Sequence, residues 1–254
     1  MIRVGVFGAF GKMGHIVFLA VSKDPDMELV AAVNPSHAGK RLPTAVEVVA
    51  DPNALVGAGV EVAVDFTRPD AVMDNVRFCI EHGIHAVVGT TGVGPDRLEE
   101  IEGLLRDRPE VGVIVAPNFS VGAVVGQRLA EEAARFFPAA EVIELHHDQK
   151  LDAPSGTAAA TARRIAAARK DAWSGPTGGE AFRGGDVEGV RVHSVRLPGL
   201  VAHQEVIFGA QGQTLTIRHD APDRWSYVPG ILLAIREVRN RPGLTVGLEP
   251  LLDL

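Results

Sequence analysis

Residues 146–160, HHDQKLDAPSGTAAA, place two histidines and a lysine before a Ser-Gly-Thr turn that opens an alanine-rich helix. Ser155 or Asp152 can cap this helix, which leaves the N–H groups of Gly156 and Thr157 pointing outward. Such a helix start attracts anions, and cationic side chains beside it strengthen the attraction. The pattern favours an anionic substrate; a helix cap that binds no ligand is the alternative interpretation.

His146, His147 and Lys150 supply the imidazole and ammonium groups of this stretch. Paired histidines also suggest a metal site or a surface patch. No third imidazole or carboxylate stands nearby at ligand spacing, and a lysine would repel the ion. We therefore expect no metal here, and we expect the three side chains to serve an anionic substrate.

The composition is typical of a globular protein. The chain has 254 residues, of which 46% are hydrophobic and 22% charged, enough to build one large core or two modest ones. A net charge of −7 and an aromatic content of 5% argue against nucleic acid as a partner. The sequence contains no long apolar stretch and opens without a basic leader, so we expect no membrane contact and a cytoplasmic location.

The first half of the chain alternates short valine-rich runs with helical patterns. This alternation predicts βαβ units and a Rossmann-like α/β fold with a doubly wound parallel sheet. After Pro117 the pattern predicts an α+β domain with a mixed or antiparallel sheet. The segment 227–240 is expected to return to the first domain. The predicted domains are residues 1–120 with 229–254, which bind a dinucleotide, and residues 121–228, which bind the substrate.

GAFGKMG, residues 8–14, stands at the first predicted strand-to-helix turn. Gly8, Gly11 and Gly14 lack Cβ atoms, which lets the backbone approach a pyrophosphate whose charge lies at the helix N-terminus. The spacing differs from G-x-G-x-x-G, and a merely tight turn is the alternative. Its position between a strand and an amphipathic helix favours dinucleotide binding.

Asn34 stands about 20 residues after the last glycine, where such folds usually carry an acidic residue that binds the adenosine ribose. His37, Lys40 and Arg41 follow it, and they either approach a 2′-phosphate or form a solvated basic loop. Both NADH and NADPH are therefore expected as cofactors.

Three further loops, DFTRP (65–69), GTTG (89–92) and APNFS (116–120), follow predicted parallel strands. Ligands bind at the carboxyl ends of the strands in open α/β sheets. Glycine, proline and asparagine also suit ordinary turns. The shared placement favours cofactor contact, most clearly for the second and third loops.

ELHHDQKLDAPSGTA (144–158), together with GAFGKMG, DFTRP, VGTTG and APNFS, resembles the 4-hydroxy-tetrahydrodipicolinate reductase family, long called the dihydrodipicolinate reductases. The resemblance runs in order along essentially the whole chain. It implies a two-domain homotetramer in which NADH or NADPH reduces a cyclic dicarboxylic imine of the diaminopimelate and lysine pathway. The second domain would form the tetramer, which agrees with the exposed edges expected of strands in residues 190–218.

The resemblance also implies roles for individual residues. His146 would be the general acid and Lys150 a second proton donor; histidine suits the first role because its unperturbed pKa lies near neutrality. The implied substrate contacts are His147, Lys150, Ser155, Gly156 and Thr157. The implied cofactor contacts are Gly8, Ala9, Phe10, Gly11, Lys12, Met13, Asn34, Gly89, Thr90, Thr91, Ala116, Pro117, Asn118 and Phe119.

Two positions depart from the family pattern. Asn34 replaces the acidic residue often found there, which leaves the cofactor preference open. Gln149 stands where many members carry another histidine, and this change leaves the spacing of His146 and Lys150 intact.

Two other functions share part of the pattern. Another two-domain NAD(P)-dependent dehydrogenase would show the glycine turn, but it would not need the His-His-x-x-Lys block before a helix start. A non-catalytic NAD(H) sensor would bind the cofactor without an acid beside it, and the sequence offers no basic DNA-binding helix to support that role.

Overall fold

The computed structural model describes residues 1–44, 46–170 and 182–254. These residues form two compact units, Met1–Ser120 with Tyr227–Leu254, and Val121–Ser226. No helix among the described residues is both long enough and apolar enough to cross a bilayer.

The chain alternates strands and helices in its first half and is richer in strands after residue 138. In chain order the strands are β1 (Ile2–Phe7), β2 (Met27–Val33), β3 (Val48–Val49), β4 (Val62–Asp65), β5 (His85–Val88), β6 (Gly112–Val115), β7 (Ala139–His146), β8 (Gly185–Val187), β9 (Val190–Arg196), β10 (Ala202–Ala210), β11 (Gln213–Ala221) and β12 (Gly243–Val246). The α-helices are α1 (Lys12–Lys23), α2 (Asn53–Gly57), α3 (Val72–Glu81), α4 (Pro95–Leu105), α5 (Val121–Ala134), α6 (Gly156–Ala168) and α7 (Val228–Glu237).

The first unit contains a seven-stranded sheet in the order β12-β6-β5-β4-β1-β2-β3, and all its paired strands are parallel. Every residue of β4 and β6 is buried, as expected for strands covered on both faces. The chain order reverses beside β1, which makes the carboxyl ends of β1 and β4 the switch point where such sheets bind ligands. The predicted Rossmann-like sheet is confirmed; the short helix α2 was not predicted.

The second unit contains a five-stranded sheet in the order β11-β10-β7-β9-β8. Neighbouring strands run antiparallel except β7 and β9, which are parallel. The sheet is therefore mixed, one of the two forms predicted. The chain passes through α6 between β7 and β9, and a helical crossover of this kind returns the second strand parallel to the first.

Helices α5 and α6 pack against one face of this mixed sheet. Ala134 of α5 and Ile165 of α6 form a core with Val142 of β7 and Phe208 of β10. Along β7, Ala140, Val142 and Glu144 are buried and alternate with less buried residues. A glutamate therefore occupies a position on the buried face of the strand, two residues before His146.

Candidate active site

The turn between β1 and α1 has the shape that a pyrophosphate requires. Gly8 has a φ of +77°, a conformation that favours glycine, and its carbonyl accepts a bond from the Gly11 N–H at 2.8 Å. A Cβ at Gly14 would overlap that same carbonyl. Gly11 begins α1 without a side-chain cap, and the first turn of the helix contains no acidic residue. The residues of this turn therefore fit a bound dinucleotide.

The other residues of the GAFGKMG segment differ in solvent exposure and in their contacts. Ala9 is buried, whereas Lys12 is exposed and Met13 is half-buried. The Phe10 ring stacks on His37 with centroids 4.8 Å apart, and Lys40 Nζ lies 5.7 Å from the centroid of Phe10.

Phe10, His37 and Lys40 therefore form a cluster of aromatic and basic side chains beside the segment that follows β2. Asn34 directly follows β2, and its backbone N–H donates to Val49 at 2.9 Å.

Phe66 brings three of the predicted cofactor loops together. Its carbonyl would lie 3.1 Å from a Cβ at Gly8, and its ring fills the place where a Cβ of Gly89 would project. Its ring also lies 5.7 Å from that of Phe119. The loops after β1, β5 and β6 therefore meet around one residue, Phe66, in the loop after β4.

The two threonines of the GTTG loop face different surroundings. Thr90 is 8% exposed, and its hydroxyl donates to Asp65 Oδ1 at 2.6 Å, whereas Thr91 is exposed. The same carboxylate oxygen accepts the Thr67 N–H at 2.9 Å and the Thr67 hydroxyl at 2.7 Å. Asn75 donates to Asp65 Oδ2 at 2.7 Å. Asp65 therefore organises two loops, a role that sequence reasoning missed.

The APNFS loop offers mainly backbone groups. Ala116 and Phe119 are each 2% exposed, while Pro117 is exposed. Asn118 Oδ1 accepts the Ser120 N–H at 2.9 Å, which holds the loop in a tight turn.

His146 lies at the end of β7 in the second unit and is held by a buried carboxylate. Its Nδ1 lies 2.5 Å from Glu144 Oε2, and the Glu144 side chain is 0% exposed. Arg196 stands opposite His146 on the parallel strand β9 and binds both carboxylate oxygens of Glu144, at 2.9 and 2.7 Å. The backbone N–H of Ser155 donates to Glu144 Oε1 at 3.2 Å. One carboxylate therefore connects His146 to the start of α6.

Glu144 is ionised in this environment. Burial raises the pKa of a carboxyl group, but hydrogen bonds from His146, Arg196 and Ser194 outweigh that effect and lower the pKa of Glu144 to about 2. Sequence analysis included Glu144 in the stretch ELHHDQKLDAPSGTA and gave it no role. Ile143 and Leu145 lie on the other face of β7. Because they are apolar, the alternation along the strand predicts that their face is buried and that Glu144 is exposed.

Lys150 is paired within its own loop. Its Nζ donates to Asp152 at 2.7 and 2.8 Å, and its side chain is 22% exposed. The hydrogen bond from Lys150 lowers the pKa of Asp152 below its usual range. Arg196 also donates to the Lys150 and Asp152 carbonyls at 3.3 and 2.7 Å, so one arginine holds both this loop and Glu144.

The start of α6 resolves which residue caps the helix. Ser155 is 3% exposed, and its Oγ accepts the Ala158 N–H at 3.1 Å. The alternative cap, Asp152, is instead paired with Lys150. Gly156 is exposed and Thr157 is half-buried, and no acidic residue lies in the first turn. The hydroxyl of Ser155 thus supports the helix, while Gly156 and Thr157 lie where an anion can meet the helix N-terminus.

His147 is half-buried, and its ring makes no hydrogen bond to the described residues. Among the residues that the structure describes, no group of three or more histidine, cysteine, aspartate or glutamate side chains is arranged to hold a metal ion. The second unit therefore presents imidazole, ammonium and helix N–H groups around Glu144 and Arg196.

Known proteins share both units of this chain. Residues 2–119 match the family described as dihydrodipicolinate reductase, N-terminus, and residues 122–252 match dihydrodipicolinate reductase, C-terminus. The chain is 57% identical over 259 residues to the 4-hydroxy-tetrahydrodipicolinate reductase of Nocardia farcinica (strain IFM 10152), covering 100% of this chain and 99% of that one. It is 55% identical over 256 residues to that of Mycobacterium sp. (strain KMS), covering 99% of each.

A solved structure is similar along its whole length. The dipicolinate-bound dihydrodipicolinate reductase from Paenisporosarcina sp. TG-14 is 38% identical, with a TM-score of 0.88 over 98% of this chain and 99% of that one. These matches confirm the resemblance that the sequence motifs indicated. The chain belongs to the dihydrodipicolinate reductase family of oxidoreductases.

Proposed function

We propose that the chain reduces 4-hydroxy-tetrahydrodipicolinate to tetrahydrodipicolinate in the diaminopimelate and lysine pathway, in the cytoplasm. The observation that carries this proposal is the link between His146 and the start of α6 through Glu144. A proton donor and an anion site held by one carboxylate suit a substrate that carries carboxylates on a ring to be protonated. The bound dipicolinate of the Paenisporosarcina structure, a planar ring dicarboxylate, supports the same substrate class.

The reaction consumes one hydride and one proton and releases one water molecule. A nicotinamide dinucleotide held at the turn between β1 and α1 would supply the hydride. His146 supplies the proton from Nε2 to the reduced ring, and a positioned acid of this kind contributes roughly 10²–10⁴-fold in rate. His147 and the N–H groups of Gly156 and Thr157 bind the substrate.

Lys150 must exchange partners to take part. In this structure its ammonium group is bound by Asp152, whose carboxylate resembles that of the substrate. A substrate carboxylate at the start of α6 would compete for the same ammonium group, because both are oxygen anions. Lys150 then holds the substrate or donates a second proton.

The cofactor site serves both NADH and NADPH in this proposal. The carboxamide of Asn34 lacks the charge that would repel a 2′-phosphate, and His37 and Lys40 assemble on Phe10 close by in sequence. The backbone groups of the GTTG and APNFS loops complete the cofactor contacts.

The mixed sheet forms a homotetramer in this proposal. Ile143, Leu145 and Ile207 lie outside the core that α5 and α6 form on this sheet, and they remain half-buried. Strand β11 forms one edge of the sheet and is largely exposed. Half-buried apolar side chains on a sheet face, beside an open edge, favour association with further copies.

Turnover of NADPH and NADH with the cyclic imine, generated in the assay by the preceding aldolase, tests this function. His146→Ala should lower kcat by about 10²-fold or more and leave NADPH affinity nearly unchanged. Near-normal kcat in that variant would contradict the assignment of the acid. Cofactor binding by the wild type without turnover would instead favour a non-catalytic sensor.

A further inference from the structure

Glu144 is a buried ionised side chain for which the proposed reaction gives no direct role. Glutamate is almost never fully buried unless it is paired, because desolvation of its charge is costly. Here both oxygens are occupied: Oε2 by His146 and Arg196, and Oε1 by Arg196 and the Ser155 N–H. This concentration of donors beside the proposed acid calls for a functional explanation.

A second Glu-His-Arg group on the same strand provides a comparison. Glu141 binds His193 Nε2 at 2.9 Å and Arg183 at 2.5 Å, but its side chain is 31% exposed. It lies three residues before Glu144, and alternation along β7 places it on the opposite face. The same three residue types thus group around two glutamates of β7, once in a solvated cluster and once at the candidate acid.

The bond to Glu144 determines where His146 carries its protons. An ionised carboxylate only accepts hydrogen bonds, so Nδ1 must carry a hydrogen. In the neutral ring Nε2 then has the lone pair, and Nε2 hydrogen-bonds to none of the described residues. Proton exchange is therefore restricted to one nitrogen atom.

Resting on the proposed role of His146, we infer that Glu144, held by Arg196, is the positioning residue that fixes the His146 tautomer and presents Nε2 to the substrate ring. During the step the Nε2–H bond breaks and a C–H bond forms on the reduced ring. The electron pair of the broken bond remains on Nε2, the other hydrogen stays on Nδ1 in its bond to the Glu144 carboxylate, and a proton from solvent restores the Nε2–H bond.

Arg196 keeps Glu144 an acceptor throughout this cycle. Its two bonds to the carboxylate are charge-assisted and bidentate, which fixes orientation as well as charge. Its bonds to the Lys150 and Asp152 carbonyls anchor the loop that carries Lys150. Because the Ser155 N–H also binds Glu144, the same carboxylate holds both His146 and the start of α6 in position.

The wild-type protein gives the first test. In protein labelled with ¹⁵N-histidine, the His146 signals are assigned by their absence in His146→Ala, and the ring is followed by titration into its neutral form. The inference requires the hydrogen on Nδ1 and a lone pair on Nε2. A neutral ring protonated on Nε2, or a mixture of both tautomers, would overturn it.

Glu144→Gln gives the second test, because an amide can donate as well as accept. We expect loss of the Nδ1–H preference, a fall in kcat of about tenfold or more, and an unchanged NADPH dissociation constant. Glu141→Gln is the matched control and should leave the His146 tautomer and kcat unchanged. Equal effects of the two variants, or a retained tautomer with lowered kcat, would reduce Glu144 to a structural role.

Glu144→Gln leaves Arg196 without its carboxylate partner, which can prevent folding. The double variant Glu144→Gln with Arg196→Met removes both charges and should show the same change in tautomer. The wild-type tautomer decides the inference even if neither variant folds. Normal kcat in His146→Ala would refute the proposed acid, whereas the tautomer measurement tests the positioning role separately.

Discussion

The Thr90 hydroxyl donates to Asp65 at 2.6 Å and ties the loop after β5 to the end of β4. The sequence pattern predicts Thr90 and Thr91 as equivalent cofactor contacts, yet only Thr91 is exposed. The two threonines therefore have different roles. Thr90 fixes the loop through Asp65, whereas Thr91 is exposed to solvent, where a ligand can bind. Asp65 is the group on which this division depends.

Thr90→Val should destabilise the protein because it removes a hydrogen bond to a buried carboxylate while preserving side-chain shape. We expect the free energy of unfolding to fall by about 1.5–3 kcal/mol. The measurement is urea unfolding followed by circular dichroism. Thr91→Val is the control, with an expected change within about 0.5 kcal/mol. Equal losses in the two variants would contradict the division between the threonines.

The first unit was predictable because its signals are local. The glycine turn stands between a strand and a helix within residues 2–23, and the valine-rich runs match strands buried on both faces. The orientation of Thr90 was not predictable, because its partner Asp65 lies 25 residues away and becomes a neighbour only through parallel pairing of β4 and β5.

In the second unit, contacts between residues far apart in sequence were even harder to predict. HHDQK and the Ser-Gly-Thr helix start can be read from the sequence, and Ser155 does cap α6. The Glu144–Arg196 pair could not be predicted from the sequence, because the two residues are 52 positions apart and become neighbours only when β7 and β9 pair in parallel. The alternation along β7 even points the wrong way, since Ile143 and Leu145 mark the face away from the helices.

The contribution of Glu144 to stability should decrease in acid. Its folded-state pKa is about 2, below the ordinary value of 4.5, so the unfolded chain takes up the proton at higher pH. Its contribution, on the order of 3 kcal/mol, is complete above about pH 4.5 and is lost as the pH falls toward about 2.

Urea unfolding of wild type and Glu144→Gln at several pH values between about 6 and 3 tests this linkage. The difference in unfolding free energy should shrink as the pH falls. Glu99→Gln, at an exposed position of α4, controls for the loss of one charge and should differ little from wild type. A difference for Glu144→Gln that stays constant with pH would contradict the linkage.

Asp152 should compete with the substrate for Lys150. Asp152→Asn weakens this pairing, and the gain should not exceed about 1 kcal/mol, or roughly fivefold in affinity, because partly exposed pairs contribute little. We therefore expect dipicolinate to bind Asp152→Asn more tightly and Lys150→Ala more weakly than wild type, as measured by calorimetry. Unchanged binding in Lys150→Ala would place the carboxylate site elsewhere.

The cofactor preference should depend on Asn34 at the end of β2. An amide there lacks both the charged acceptor for a ribose hydroxyl and the repulsion that excludes a 2′-phosphate. His37 and Lys40 gather on Phe10 nearby in sequence. Lys40 is exposed, and an exposed loop charge contributes only about 0–1 kcal/mol. The kcat/KM values for NADH and NADPH should therefore lie within about tenfold of each other.

Asn34→Asp restores both the acceptor and the repulsion, so it should shift the preference toward NADH. The check is a paired measurement of kcat/KM and dissociation constants for NADH and NADPH in wild type and variant. Asn240→Asp, at an exposed position of the same unit, adds the same charge and should leave the ratio unchanged. A wild-type preference above about 100-fold either way, or an equal shift in both variants, would show that Asn34 does not govern the choice.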